Sequence, residues 1–196
     1  MIDQFPYRFI LGSASPRRQA LLQSLGLSFE VRVLSIPEIL PPEVKRHEAA
    51  CYLARQKNHA QSLSGDELLL TADTVVWLPQ SQELLGKPTD LSDARAMLHK
   101  LSDTAHEVIT GVCLRTHTRE LCFQETTTVH FRELSTADID HYLKDGRALD
   151  RAGAYGIQDW IGMIGVQKIV GDYYNVMGLP VGAVYAALRS FIIKPF

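Results

Sequence analysis

Cysteine is scarce in this chain of 196 residues: Cys51, Cys113 and Cys122 are all it has. An odd number at such wide spacing excludes a disulfide framework and a zinc ribbon, so buried free thiols are expected. Charge of one sign is scarce too. Against 22 Asp and Glu stand 20 Lys and Arg, for a net charge of -2. That balance lacks the basic excess that broad binding to nucleic acid or an anionic membrane requires, so any anion site must be local. No apolar run approaches the ~20 residues of a membrane span, and Met1-Ile2-Asp3-Gln4 has no basic region followed by an apolar stretch. The expectation is a cytoplasmic protein with no nucleic acid and no membrane among its partners. Neither the P-loop nor the GxGxxG pattern occurs. The seven histidines form no HExxH or similar ligand spacing, and none is assigned to catalysis. Internal repeats, low-complexity tracts and linkers are also missing.

What remains is a composition with 46% hydrophobic residues, enough for a sizeable core, and residues 1–196 are read as a single domain. Strands and helices interleave along it. Phe9-Ile10-Leu11 reads as a strand entering a helix with Ser15 at the N-cap, Pro16 first inside and Gly26 at the end. A strand is expected over 29–33, a turn-rich loop over 37–42, a helix over 47–63 and a buried strand over 68–78. Gly86-Lys87-Pro88 forms a turn, and Asp90 or Ser92 caps a helix reaching Leu101. Two strands, over 107–114 and 121–132, precede a helix opened by a capping box at Ser135 and followed by Gly146. An apolar strand over 163–170, a loop over 175–180 and a closing helix through Leu188 complete the pattern. The fold class is α/β with a mixed sheet.

Two places carry unusual chemistry. Gly12-Ser13-Ala14-Ser15-Pro16-Arg17-Arg18 puts two arginines at the positive end of a helix dipole, where each exposed cation costs roughly 0.3 to 1 kcal/mol unless an anion compensates. Either this is a phosphate cradle built from Ser13, the backbone, Arg17 and Arg18, or it is a capped surface helix with solvated arginines. The second is Asp73, a lone carboxylate inside the apolar run 68–78. It is either a general base or ligand of a hard cation, or a strand-end residue facing water. Lys87, held between Gly86 and Pro88, can be aimed at a phosphate, and Glu38 can supply a second carboxylate. Each of these, like Lys57, is by itself an ordinary surface charge. Gln158, among glycines, offers an amide to the edge of a base.

Taken together, Ser13-Ala14-Ser15-Pro16-Arg17-Arg18, Ala54-Arg55-Gln56-Lys57, Ala72-Asp73-Thr74-Val75-Val76, Gly86-Lys87-Pro88, Thr110-Gly111-Val112, Ala152-Gly153-Ala154-Tyr155-Gly156-Ile157-Gln158 and Asn175-Val176-Met177-Gly178-Leu179-Pro180 strongly resemble, in order, the blocks of the Maf family of nucleoside triphosphate pyrophosphatases. The resemblance implies a fold shared with the inosine triphosphate pyrophosphatase-like enzymes, with two lobes around a central cleft. It implies water attack on the α-phosphorus of a nucleoside triphosphate, with Mg2+ or Mn2+ present, and a homodimer. Asp73 takes the family's proton-acceptor position. Glu38 with Asp73 would serve a metal, Lys57 and Lys87 the phosphates, and Ser13, Arg17 and Arg18 the phosphate loop. Arg17, Thr74 and Gln158 resemble the dTTP/UTP-cleaving members rather than the 7-methyl-GTP-cleaving ones. The departures are Asp159 and Trp160, where many relatives have glycine, and Asp172, where many have serine. The rival reading is a nucleotide-binding regulator of cell division or septum formation with incidental hydrolysis.

Overall fold

A computed structural model describes residues 6–192; the Met1-Ile2-Asp3-Gln4 segment lies outside them. Seven strands hydrogen-bond in one mixed sheet: β1 (Arg8–Leu11), β2 (Glu30–Val31), β3 (Glu67–Leu78), β4 (Glu83–Leu85), β5 (Ala105–Arg115), β6 (Glu120–Phe131) and β7 (Val166–Val170). Their order is β2-β1-β3-β5-β6-β7, with β4 paired to β3. β1 is parallel to β2 and β3, whereas β4 returns antiparallel along β3 and β7 runs antiparallel to β6. Among the described residues seven α-helices accompany the strands: α1 (Pro16–Ser24), α2 (Ala49–His59), α3 (Leu91–Leu101), α4 (Thr136–Leu143), α5 (Trp160–Gly165), α6 (Tyr173–Val176) and α7 (Val181–Ile192). The mixed α/β class is as expected.

The chain divides into two compact units, and β3, β5 and β6 each contribute residues to both. The first is drawn from Met1–Asp73, Thr110–Glu125 and Gly178–Phe196. Its buried apolar side chains come from β1, from one face each of α1 and α2, from the first half of β3 and from α7. The second unit is drawn from Thr74–Ile109 and Thr126–Met177. Its core joins Val76 and Leu78 of β3 to Leu98 and Leu101 of α3, Ile139 of α4, Phe131, Tyr155 and Ile161.

Local chemistry explains the element ends. Ser15 and Pro16 start α1 as the sequence predicts, and Gly26 follows it at φ 73°, a left-handed conformation that favours glycine. Asp90, not Ser92, caps α3 by accepting from the Asp93 amide, and Ser135 with Asp138 forms the capping box of α4. Three expectations need correction. Helix α2 ends at His59 rather than near Leu63, and the Arg115 guanidinium donates to the carbonyls of Asn58 and Gln61 at that end. The first part of the expected 163–170 strand belongs to helix α5, which packs Gly162 against the Ile157 carbonyl, so β7 starts only at Val166. Cys113 and Cys122 are not free thiols. They face each other across the hairpin whose turn is closed by Thr116 and Arg119, with Cα atoms 4.1 Å apart, and are joined as a disulfide. Only Cys51 is free.

Candidate active site

The residues 12–15 leave β1 under tight constraint. The Gly12 amide donates to the Leu70 carbonyl, and a side chain there would meet the Thr71 Cγ2 at 2.7 Å and the Gln61 Nε2 at 3.0 Å. Glycine is the residue that lets the loop lie flat on β3. Ser13 is buried, and its Oγ accepts from the Ser15 amide (3.3 Å) and from the Arg18 Nη1 (3.2 Å). The same Arg18 donates to the Ala72 carbonyl (2.9 Å) and, through Nε, to the Gly178 carbonyl (2.8 Å). Arg18 thus fastens the loop, β3 and the turn before α7 together. Arg17, half-buried, shares the first turn of α1, which carries no acidic residue. With Pro16 at N1, the amides of that turn and the dipole behind them favour an anion.

Helix α2 brings a lysine to the carboxylate. Ala50, Leu53, Ala54 and Asn58 form its buried stripe, and Lys57 lies on the edge of that stripe. The Lys57 Nζ stands 2.5 Å from the Asp73 Oδ1 and 2.7 Å from the Glu38 Oε1. Asp73 is 8% exposed, whereas Glu38 sits on an open loop. Burial is the main influence on the Asp73 carboxyl and pushes its pKa up; the charges of Lys57 and Arg18 and the lysine hydrogen bond pull against it, and Glu38 adds to the rise. A carboxyl held in this way can accept a proton, with cations near enough to steady its ionised form. Two carboxylates gathered on one ammonium are hard oxygen donors, which suits Mg2+ or Mn2+, since these take one or two carboxylates and complete their shell with phosphate and water oxygens.

What holds Lys57 in place was not singled out in the sequence. Its neighbour Asn58, fully buried, donates through Nδ2 to the carbonyls of Leu69 (3.2 Å) and Cys113 (3.0 Å). Its Oδ1 accepts from the Arg115 Nε at 2.7 Å. The available signal was an asparagine in the middle of an apolar helical stripe, where an unpaired amide would be costly. Among the described residues, one further group has metal-like geometry, Cys113, Glu120 and Cys122. Its donors are already spent, because the two sulfurs are bonded to each other and Glu120 pairs with Arg55 (2.9 Å) and His59.

Lys87, Gln158 and Thr74 belong to the second unit. Lys87 is exposed at the bend before Pro88, its Nζ 2.5 Å from the Asp150 Oδ1. Such an open ion pair is worth little and is readily exchanged for another anion. Thr74 directly follows Asp73 on β3 and is half-buried. Gln158 is half-buried between two buried residues, Ile157 and Asp159. The structure therefore joins Ser13 with Arg18, and Glu38 with Lys57 and Asp73, inside the first unit. It places Lys87 with Asp150 in the second.

The "dTTP/UTP pyrophosphatase" of Phocaeicola vulgatus is 48% identical over 187 residues, covering 94% of this chain and 96% of its own. The protein of the same name from Parabacteroides distasonis is 46% identical over 188 residues, with the same coverage. A solved nucleoside-triphosphatase / dITP/XTP pyrophosphatase of Mycobacterium abscessus is 15% identical with a TM-score of 0.42, covering 94% of this chain and 95% of that one. The profile of the Maf-like proteins matches residues 8–191, nearly everything from the first strand to the last helix. By that match, and by relatives close to half identical along their whole length, the chain belongs to the Maf-like protein family.

Proposed function

We propose that this chain is a nucleoside triphosphate pyrophosphatase that cleaves dTTP and UTP to the monophosphate and pyrophosphate. The observation that carries the reading is Asp73, a buried carboxylate with a raised pKa held against Lys57. In that role Asp73 takes a proton from the water whose oxygen bonds to the α-phosphorus, while the bond from that phosphorus to the pyrophosphate oxygen breaks. Lys57 steadies the ionised Asp73, and Arg17 and the Ser13 loop balance the charge of the triphosphate chain. Glu38, joined by Asp73 where that carboxylate is not acting as the base, would hold a divalent cation, which supplies neutralisation of phosphate charge and acidification of water. The names of the relatives support the pyrimidine preference. So does Gln158, whose amide has the acceptor and donor that the N3–H and O4 edge of thymine or uracil demands. The purified protein should release pyrophosphate from dTTP and UTP faster than from CTP, GTP, ITP or 7-methyl-GTP, and a chelator should stop it. Release of orthophosphate would overturn the reaction, and preference for a purine would overturn the base assignment.

A further inference from the structure

Within the second unit, residues 151–159 form a bend that is closed at its two ends by one buried ion pair. The Arg151 Nε donates to the Asp159 Oδ2 at 3.0 Å and its Nη2 to the Oδ1 at 3.1 Å. The side chains are only 11% and 8% exposed. The Tyr142 hydroxyl of α4 adds a third donor to the same Oδ2 at 3.1 Å. Asp159 precedes α5 at the N-cap position, yet its side chain makes no cap there, being turned back to Arg151 instead. The backbone is shaped around this contact. A Cβ on Gly156 would lie 2.3 Å from the Asp159 Oδ2, and one on Gly162 would lie 2.2 Å from the Ile157 carbonyl oxygen. Gly153 adopts φ 67°.

Stability alone is a poor reason for such a construction. Removing two charges from water costs several kcal/mol per ion, and well-packed apolar replacements are often as stable or more so. Here one guanidinium nitrogen, the Arg151 Nη1, is buried without a hydrogen-bond partner, which adds to the cost. What a two-point pair offers instead is a single permitted geometry, because the planar fork fits a carboxylate in one orientation. The one half-exposed side chain of the run 153–159 is Gln158, between buried Ile157 and the clasped Asp159.

We infer that Arg151 and Asp159 are positioning residues for base selection: their buried pair, joined by Tyr142, fixes the 151–159 bend so that the Gln158 amide meets a pyrimidine edge already oriented. The inference rests on the pyrimidine reading proposed above. A pre-oriented amide discriminates because a misplaced base leaves buried polar groups unpaired, whereas a mobile amide adapts to several bases at an entropic cost.

The test is a double-mutant cycle on the full chain, read with dTTP, UTP and GTP. Asp159→Asn should raise KM for dTTP and UTP about tenfold with kcat changed less than about threefold, and should narrow the UTP-to-GTP ratio of kcat/KM by a similar factor. Gln158→Ala should do the same alone and add less than about twofold in the Asp159→Asn background, since both act through one amide. Arg151→Lys keeps the charge and loses the fork, so it should show a smaller change in the same direction, and it carries the test if Asp159→Asn does not fold. Effects of Gln158 and Asp159 that multiply, or folded variants with unaltered base selectivity, would overturn the clasp. Failure of the wild-type chain to cleave dTTP or UTP would instead overturn the function on which it rests.

Discussion

Asp73 is a carboxylate kept where its charge is disfavoured, and two consequences follow at the residue scale. Its folded pKa lies above the ordinary 3.8, so the native state holds a proton that the unfolded chain releases, and folding loses stability as pH rises from 3.8 through the raised value. Asp73→Asn removes that burden along with the base. We expect pyrophosphate release to fall by about a thousandfold, the middle of the range for a general base, while the melting temperature at neutral pH does not drop. A calorimetric scan showing a loss of several degrees would contradict the stability half, and near-normal turnover the catalytic half. Lys57 has the opposite influence, lowering the Asp73 pKa by charge and hydrogen bond. Lys57→Met should therefore move the acid limb of the kcat/KM profile to higher pH, besides slowing the reaction. A limb that stays put would separate Lys57 from the base. Asp73 was legible in the sequence because one acid interrupting an apolar run demands an explanation. Its link to Glu38 came only through the family resemblance and its contact with Lys57 was not expected, since both are made by tertiary packing that no local pattern encodes.

At the scale of elements, the placement of Lys57 depends on backbone meeting backbone. A Cβ at Gly111 of β5 would lie 2.3 Å from the carbonyl carbon and oxygen of Ala50 and from the Cys51 nitrogen in α2. No side-chain rotation relieves such an overlap. Gly111→Ala should destabilise the protein by about 3 kcal/mol or more, at the top of the range for overpacking, as read from urea unfolding; an unchanged midpoint would show that α2 can lift away freely. The starts of α1, α3 and α4 are legible from Pro16 at the first helical position, the Asp90 cap and the Ser135 capping box. The start of α5 has no such signal, since the Asp159 side chain makes no cap. Met163-Ile164-Gly165 runs apolar into Val166 without a break in the pattern, so the expected 163–170 strand includes the last half of α5. The Gly156 and Gly162 contacts that settle the matter involve residues brought together only by the fold.

Over the whole molecule, acid should act through a different group in each compact unit. In the first, Glu67 is held to about 2 by the Arg32 guanidinium and the Ser64 amide, so its stabilisation is complete above pH 4.5 and is lost as pH falls from there through about 2. In the second, His106 is fully buried between Phe131 and Tyr155, and burial lowers its pKa from 6.5 to about 3. The unfolded chain binds a proton there that the native state refuses. Stability therefore falls as pH drops from 6.5 toward 3, and this loss begins first. The urea midpoint should decline between pH 7 and pH 4, and His106→Gln should flatten that decline; an equally steep slope in the variant would assign the acid sensitivity elsewhere. Composition and charge had made a well-filled core legible, but not which polar side chain would be enclosed in it.

Arg18 also bears on how loss-of-function variants in this loop are to be interpreted. Its guanidinium ties the backbone at Ala72 and Gly178 and the Ser13 hydroxyl into one joint, so deleting it removes a hinge pin as well as a positive charge. An inactive Arg18 variant would be ambiguous evidence for a lost phosphate contact, because the carbonyl next to Asp73 would come adrift at the same time.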